Sequence, residues 1–109
     1  MARGYRELRA ELARMSAALA LTEAHLARLR EAIAIEAEDA VIHGRKKKRQ
    51  FGRSSTTWTD ADEREYQRQL GGICARRAGE FRALRSKAAR QRAAVDAFRT
   101  KHRFNDECS

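Results

Sequence analysis

The chain has 109 residues, and its 24 lysines and arginines against 15 acidic residues give a formal net charge of +9. A positive charge of this size points to a polyanionic partner, either nucleic acid or an acidic lipid surface. No apolar run approaches the roughly 18 residues that cross a membrane, and the first residues lack the apolar segment of a secretory signal, so we expect a cytoplasmic protein without a membrane partner.

The first predicted element is a helix over about residues 4–43 that follows a seven-residue apolar repeat. A strict heptad is typical of a left-handed coiled coil. One core position holds Tyr5, Leu12, Leu19, Leu26, Ile33 and Ala40, and the other holds Leu8, Met15, Thr22, Leu29 and Glu36. Glu36 predicts that the contact opens toward the end of the helix. Gly44 predicts that end, because glycine accepts the left-handed conformation that closes a helix.

The second predicted element is a basic loop over about residues 44–58. Its stretch GRKKKRQFGR, residues 44–53, carries six positive charges and no acid. Cations of this kind neutralise phosphates, and aromatic rings stack on unpaired bases. The candidate nucleic-acid contacts in the loop are Arg45, Lys46, Lys47, Lys48, Arg49, Phe51, Arg53 and Trp58. The alternative is a solvated loop whose Phe51 and Trp58 fold onto the ends of the helices.

The first part of this loop, GRKKKRQ at residues 44–50, resembles the arginine-rich RNA-binding peptide of lentiviral transactivators, which begins GRKKRRQ. The resemblance covers seven of the 109 residues and implies phosphate-directed RNA binding by those residues alone. Basic runs of this type also serve as nuclear import signals.

The third predicted element is a helix over about residues 59–104. Thr59, with Asp62 three residues later, has the pattern of a capping box at the start of a helix. The predicted seam of this helix consists of Leu70, Cys74, Arg77, Phe81, Leu84, Ala88, Gln91, Val95, Phe98 and His102. Gly71 and Gly72 leave two alternatives, a continuous helix or a break at the glycines, because each glycine costs about 1 kcal/mol relative to alanine inside a helix.

The later helix also carries a second basic surface. Residues 76–103 hold ten lysines or arginines against Glu80 and Asp96, whereas residues 1–43 hold six basic and seven acidic residues. Arg82, Arg85, Arg92 and Arg99 recur at three- and seven-residue steps, which predicts that they follow a phosphate backbone along one face. The alternative is a solvated face whose aliphatic stems cover the seam.

The predicted fold is all-α, a long antiparallel helical hairpin or coiled coil with the basic loop at its tip. Of the 46 apolar residues, 21 are alanines, which favours a thin seam between long helices over a compact core. Helices of 40 to 45 residues are roughly 60 to 67 Å long, and both seams are buried if one folds back on the other. We therefore expect a single helical domain over residues 1–109, with a homodimer or a helical partner protein completing the seam.

Catalysis finds little support in the sequence. His25, His43 and His102 are far apart and belong to no known catalytic motif, and Cys74 and Cys108 form neither a zinc spacing nor a disulfide framework. We interpret Cys74 as a small buried residue and Cys108 as an exposed thiol. We expect no enzymatic activity, no cofactor, no metal and no small-molecule substrate.

The sequence therefore predicts a non-enzymatic accessory protein that binds RNA or DNA mainly through phosphate contacts. The alternative is a coiled-coil protein-interaction module, such as a small helical subunit, scaffold or inhibitor of a larger complex, of which a ribonucleoprotein is one example. Base-specific recognition is not indicated, because it requires placed side chains that the sequence does not identify.

Overall fold

The computed structural model describes residues 4–48 and 57–103. These residues form three helices, α1 (Tyr5–Lys48), α2 (Asp60–Arg76) and α3 (Ala78–Lys101), and no strand occurs in either range. The predicted all-α class is confirmed. The Cα positions group into two compact units, one from residues 1–26 and 82–109 and the other from residues 27–81, so α1 contributes to both.

In the first unit, the N-terminal half of α1 packs against α3. The buried side chains are Thr22, Leu26 and Val95. Thr22 is polar, but its hydroxyl donates a hydrogen bond to the Ala18 carbonyl at 3.2 Å, which satisfies the group inside the seam. An exposed ion pair between Arg92 and Glu23 joins the two helices at the edge of the seam.

In the second unit, the C-terminal half of α1 packs antiparallel to α2. Arg45 at the end of α1 pairs with Asp62 at the start of α2, and Glu36, earlier in α1, pairs with Arg76 at the end of α2. The buried apolar side chains are Leu29, Ile33, Ala37, Val41 and Ile73.

The buried face of α1 departs from the predicted heptad in this unit. The heptad placed Glu36 and Ala40 in the seam, but the structure buries Ala37 and Val41 instead, and Glu36 is exposed. A straight helix has 3.6 residues per turn and drifts by about 20° per heptad, so the buried face moves on by one residue. The prediction that the contact opens beyond Glu36, toward the end of α1, is wrong, because Ala37 and Val41 are both buried.

The first helix is longer than predicted. It continues through Gly44 to Lys48, so the expected stop at Gly44 and the expected loop from residue 44 are wrong. Gly44 has no positive φ, and an added Cβ would meet no atom within 4 Å. The contacts of Arg45 with the start of α2 hold this last part of the helix and offset the roughly 1 kcal/mol that a helical glycine costs.

The second predicted helix is interrupted at Arg77 and not at the glycines. Gly71 and Gly72 are both helical, whereas Arg77 has φ −104° and ψ 13° and separates α2 from α3. The hydrogen-bond ladder continues on both sides, from the Arg77 amide to the Ile73 carbonyl at 3.0 Å and from the Phe81 amide to the Arg77 carbonyl at 3.1 Å. The interruption is therefore confined to one residue.

The predicted seam of α2 is shifted by one residue at Cys74. Cys74 is exposed, and Ile73 is 1% exposed in its place. The interpretation of Cys74 as a small buried residue is therefore wrong. Asp62 and Ile73 are buried, and Tyr66 and Arg77 are half-buried. In chain order these four residues are four, seven and four residues apart, which a helix of 3.6 residues per turn places on one face.

Candidate nucleic-acid interface

The start of α2 is fixed by a reciprocal pair of hydrogen bonds. The Asp62 amide donates to the Thr59 hydroxyl at 3.1 Å, and the Thr59 amide donates to the Asp62 carboxylate at 2.9 Å. Thr59 has the extended backbone of an N-cap, with φ −102° and ψ 169°. The capping box predicted from these two residues is confirmed, and it sets the direction in which the chain enters α2.

Arg45, predicted as a phosphate contact, lies inside this junction. The same terminal nitrogen donates to the Thr57 carbonyl and to the Asp62 carboxylate, each at 3.0 Å. Only 8% of the Arg45 side chain and 11% of the Asp62 side chain are exposed. The guanidinium thus joins the end of α1 to the start of α2 and is committed to contacts within the chain.

The electrostatics of the junction favour the ionised carboxylate. The pKa of Asp62 is lowered, first by the hydrogen bond from the Thr59 backbone amide and further by the Thr59 hydroxyl and the Arg45 guanidinium, against an opposing effect of burial. Because Asp62 accepts from both the cap and Arg45, one carboxylate holds the capping box and the interhelical ion pair together.

A cleft of about 550 Å³ opens beside this junction. Small residues on α1 and α2, including Ala40, Gly44 and Ala61, form part of its wall. Its charged lining is mixed, since Arg64 and Arg68 are accompanied by Asp62 and Glu65, and Arg68 pairs with Glu65. The cleft offers cations to an anion, but it also places two carboxylates beside them.

The other predicted loop residues are only partly described. Lys46, Lys47 and Lys48 belong to the last turn of α1, where positive charge is favourable beside the negative end of the helix dipole. Arg49, Phe51 and Arg53 lie outside the described residues.

Trp58 lies just before α2 in an acidic setting. Its indole nitrogen donates to the Glu63 carboxylate at 3.0 Å, and its ring meets the Tyr66 ring edge to face, with centroids 6.1 Å apart. Trp58 as a whole residue is 40% exposed. The carboxylate beside it repels phosphate, so the role in base stacking that the sequence suggested gains no support from this geometry.

The predicted arginines of α3 differ in their surroundings. Arg82, Arg85 and Arg92 are exposed, and Arg99 is half-buried. Arg92 pairs with Glu23 of α1, so part of its charge is balanced within the chain. The four side chains therefore do not form one uniform row of exposed cations.

A different set of cations on α3 was missed by the sequence analysis. Lys87, Arg90 and Lys101 are exposed, and no ion pair joins any of them to another residue within 4–48 or 57–103. Steps of three and eleven residues place them within about 60° of one another around the helix, on a face that also carries Ala83 and Ala94. The spacing of these three residues indicates a shared helix face. The predicted series followed the arginines at three- and seven-residue steps instead and did not include the eleven-residue step.

Other kinds of site find no structural support within the described ranges. There, no group of three or more His, Cys, Asp or Glu side chains is placed to hold a metal ion. The helices there also include none with the length and apolar character needed to cross a membrane. No model of a known protein family matches the chain, and no curated protein or solved structure matches it either.

Proposed function

We propose that this protein is a non-enzymatic accessory protein that binds nucleic acid through phosphate contacts. The observation that carries the proposal is the exposed basic face of α3, defined by Lys87, Arg90 and Lys101. From the first to the last of these residues, the face extends about 21 Å along the helix axis. The basic run at the end of α1 supplies further positive charge close in sequence to the junction.

The chemistry of this face favours backbone contact. The neighbours Ala83 and Ala94 leave the ammonium and guanidinium groups of this face free to reach phosphate oxygens, and alanine carries no group that reads a base edge. Such binding releases counterions and weakens steeply as salt rises. RNA and DNA both satisfy this chemistry, and the basic face itself does not distinguish them.

The proposal is tested with a charge-matched pair of variants. One carries Lys87→Gln, Arg90→Gln and Lys101→Gln, and the control carries Arg14→Gln, Arg28→Gln and Arg30→Gln, which removes the same charge from exposed positions of α1. Binding to a labelled 20-nucleotide RNA and to the matching DNA duplex is measured by fluorescence anisotropy between 50 and 200 mM salt.

We expect the α3 variant to bind at least tenfold more weakly than the control variant. The slope of log affinity against log salt should also fall by about two to three units, since each phosphate contact contributes about 0.7 to 0.9. Equal losses in the two variants would mean that net charge alone drives binding. No retention of the unaltered protein on RNA, DNA or heparin at 150 mM salt would reject the proposal.

A second candidate function, docking on a helical protein partner or a second copy of the chain, is favoured by exposed apolar side chains on α1. Leu21 in the first unit is 70% exposed, and Ile35 in the second unit is 52% exposed. Sedimentation equilibrium of the protein and of a Leu21→Gln, Ile35→Gln variant tests self-association. A monomer in both cases leaves a different protein as the partner, and a dimer lost in the variant assigns these exposed side chains to contacts with a second copy.

A further inference from the structure

Beside the start of α2, a second and smaller cleft differs from the mixed one in its chemistry. It has a volume of about 280 Å³ and is lined by Glu38 of α1, Trp58, and Glu63 and Tyr66 of α2. Two aromatic rings and two carboxylates therefore line one opening, and no lysine or arginine within the described ranges belongs to its lining. The lining of this cleft is therefore acidic, although the chain as a whole has a net charge of +9.

The two rings form adjacent walls at a steep angle. Their planes are inclined by 74° and their centroids are 6.1 Å apart. The negative face of an aromatic ring attracts cations, and aromatic cages use such rings to hold ammonium ligands. A guanidinium also stacks on an aromatic face. Trp58 is held in place by the hydrogen bond from its indole nitrogen to Glu63.

The carboxylates add negative charge to this opening. Glu63 accepts from Trp58 through one oxygen and from Gln67 through the other, at 3.0 Å and 2.8 Å. These hydrogen bonds, that of Gln67 first, lower the pKa of Glu63 and keep it ionised. Glu38 is exposed and forms no hydrogen bond or ion pair with residues 4–48 or 57–103, so its carboxylate is available to a ligand.

We infer that the cleft formed by Glu38, Trp58, Glu63 and Tyr66 binds an arginine side chain of a partner protein. A guanidinium stacks on the indole ring and donates two parallel hydrogen bonds to the Glu38 carboxylate, which an ammonium cannot do. Two of the four lining side chains are carboxylates, and none of the four is a cation, so the lining itself favours a positively charged ligand.

The single tryptophan of the chain provides a direct probe, because its fluorescence reports on this cleft alone. The protein is titrated with the peptide acetyl-Gly-Arg-Gly-amide and, in a parallel arm, with the same peptide carrying citrulline, the neutral analogue of arginine. Both arms are kept at constant ionic strength. We expect a saturable change in tryptophan fluorescence with the arginine peptide and none with the citrulline peptide.

Variants then assign the response to the cleft. Glu38→Gln should weaken binding of the arginine peptide at least threefold, while Glu31→Gln, which removes the same charge from α1 outside the cleft, should leave it unchanged. Tyr66→Leu, which removes one ring wall, should weaken it further. Equal responses to the two peptides, or equal affinities of the Glu38 and Glu31 variants, would overturn the inference.

A dilution series without peptide tests whether the arginine comes from a second copy of the chain or from a different protein. A fluorescence change on dilution, absent in Glu38→Gln, identifies a second copy of the chain as the donor of the side chain. A signal that is constant on dilution, together with a response to the peptide, assigns the cleft to a different protein.

Discussion

Arginine serves two different purposes at the start of α2 and on the outer face of α3. At the start of α2, Arg45 is 8% exposed and gives its hydrogen bonds to Asp62 and to the Thr57 carbonyl. On α3, Arg90 is exposed, and no ion pair joins it to the rest of the described chain. Net charge therefore overstates the number of cations that a partner can reach, because burial and internal pairing remove some of them.

Removal of Arg45, the buried arginine, should cause the largest loss of stability. Arg45→Ala leaves the Asp62 carboxylate poorly solvated and without its interhelical partner, and removing one member of a buried ion pair is strongly destabilising. We expect the midpoint of thermal unfolding, followed by circular dichroism, to fall by more than about 10 °C.

Arg90→Ala is the matched control, since it removes the same side chain from an exposed position. Its midpoint should stay within about 3 °C of the unaltered protein, because exposed substitutions away from caps and pairs change stability by less than about 0.5 kcal/mol. If the two variants melt together, the pair of Arg45 with Asp62 contributes no measurable stability to the junction.

The next largest loss is expected in nucleic-acid binding, on removal of the basic run that follows Arg45. Changing Lys46, Lys47, Lys48 and Arg49 to alanine removes the positive charge that follows Arg45 in sequence, and we expect nucleic-acid affinity to fall at least tenfold, or about 1.4 kcal/mol. Anisotropy titrations at 100 mM salt measure it. A control that removes four exposed cations of α1, at positions 6, 14, 28 and 30, should lose less affinity. A binding curve unaffected by the first change would exclude the basic run from the interface.

A smaller effect tests the cap that orients Asp62 toward Arg45. Thr59→Ala removes the hydroxyl that accepts from the Asp62 amide, and the loss of an N-cap costs about 1 kcal/mol, or about 5 °C in the unfolding midpoint. Thr59→Ser keeps the hydroxyl and should retain most of the stability. Equal losses in the two variants would show that the Thr59 methyl, and not the hydrogen bond, stabilises the start of α2.

The sequence predicts contacts between residues that are close along the chain, and it does not predict contacts between residues that are far apart. The capping box was predicted because its two residues are three apart and the chemistry is local. The pair between Arg45 and Asp62 spans 17 positions across the junction, and no periodicity indicates it. It also keeps Gly44 helical, which is why a reliable local stop signal failed there.

The helix interior shows the same division between local and tertiary signals. The heptad identified Leu26, Leu29 and Ile33 as buried residues, but it could not show where α1 returns to the straight-helix repeat and buries Ala37. Likewise, glycine propensity suggested a break at Gly71 and Gly72, whereas the interruption occurs at Arg77, whose side chain pairs with Glu80. Propensity measures a cost of about 1 kcal/mol per glycine, which the packing of a buried residue such as Ile73 exceeds.

The smallest effect is expected in the pH dependence of thermal stability, to which the Asp62 carboxylate of the junction contributes. The pKa of Asp62 is lowered in the folded chain, first by the Thr59 amide, and that of Glu63 is lowered by Gln67 and Trp58. A depressed folded pKa contributes stability above the unfolded value, near pH 4, and this contribution is lost as pH falls through the folded pKa. Thermal melts from pH 7 to pH 3 should therefore show a decline that is shallower in Asp62→Asn. Asp96→Asn, on the exposed surface of α3, should follow the unaltered protein. An acid transition unchanged by Asp62→Asn would mean that the junction carboxylate is not what couples folding to pH.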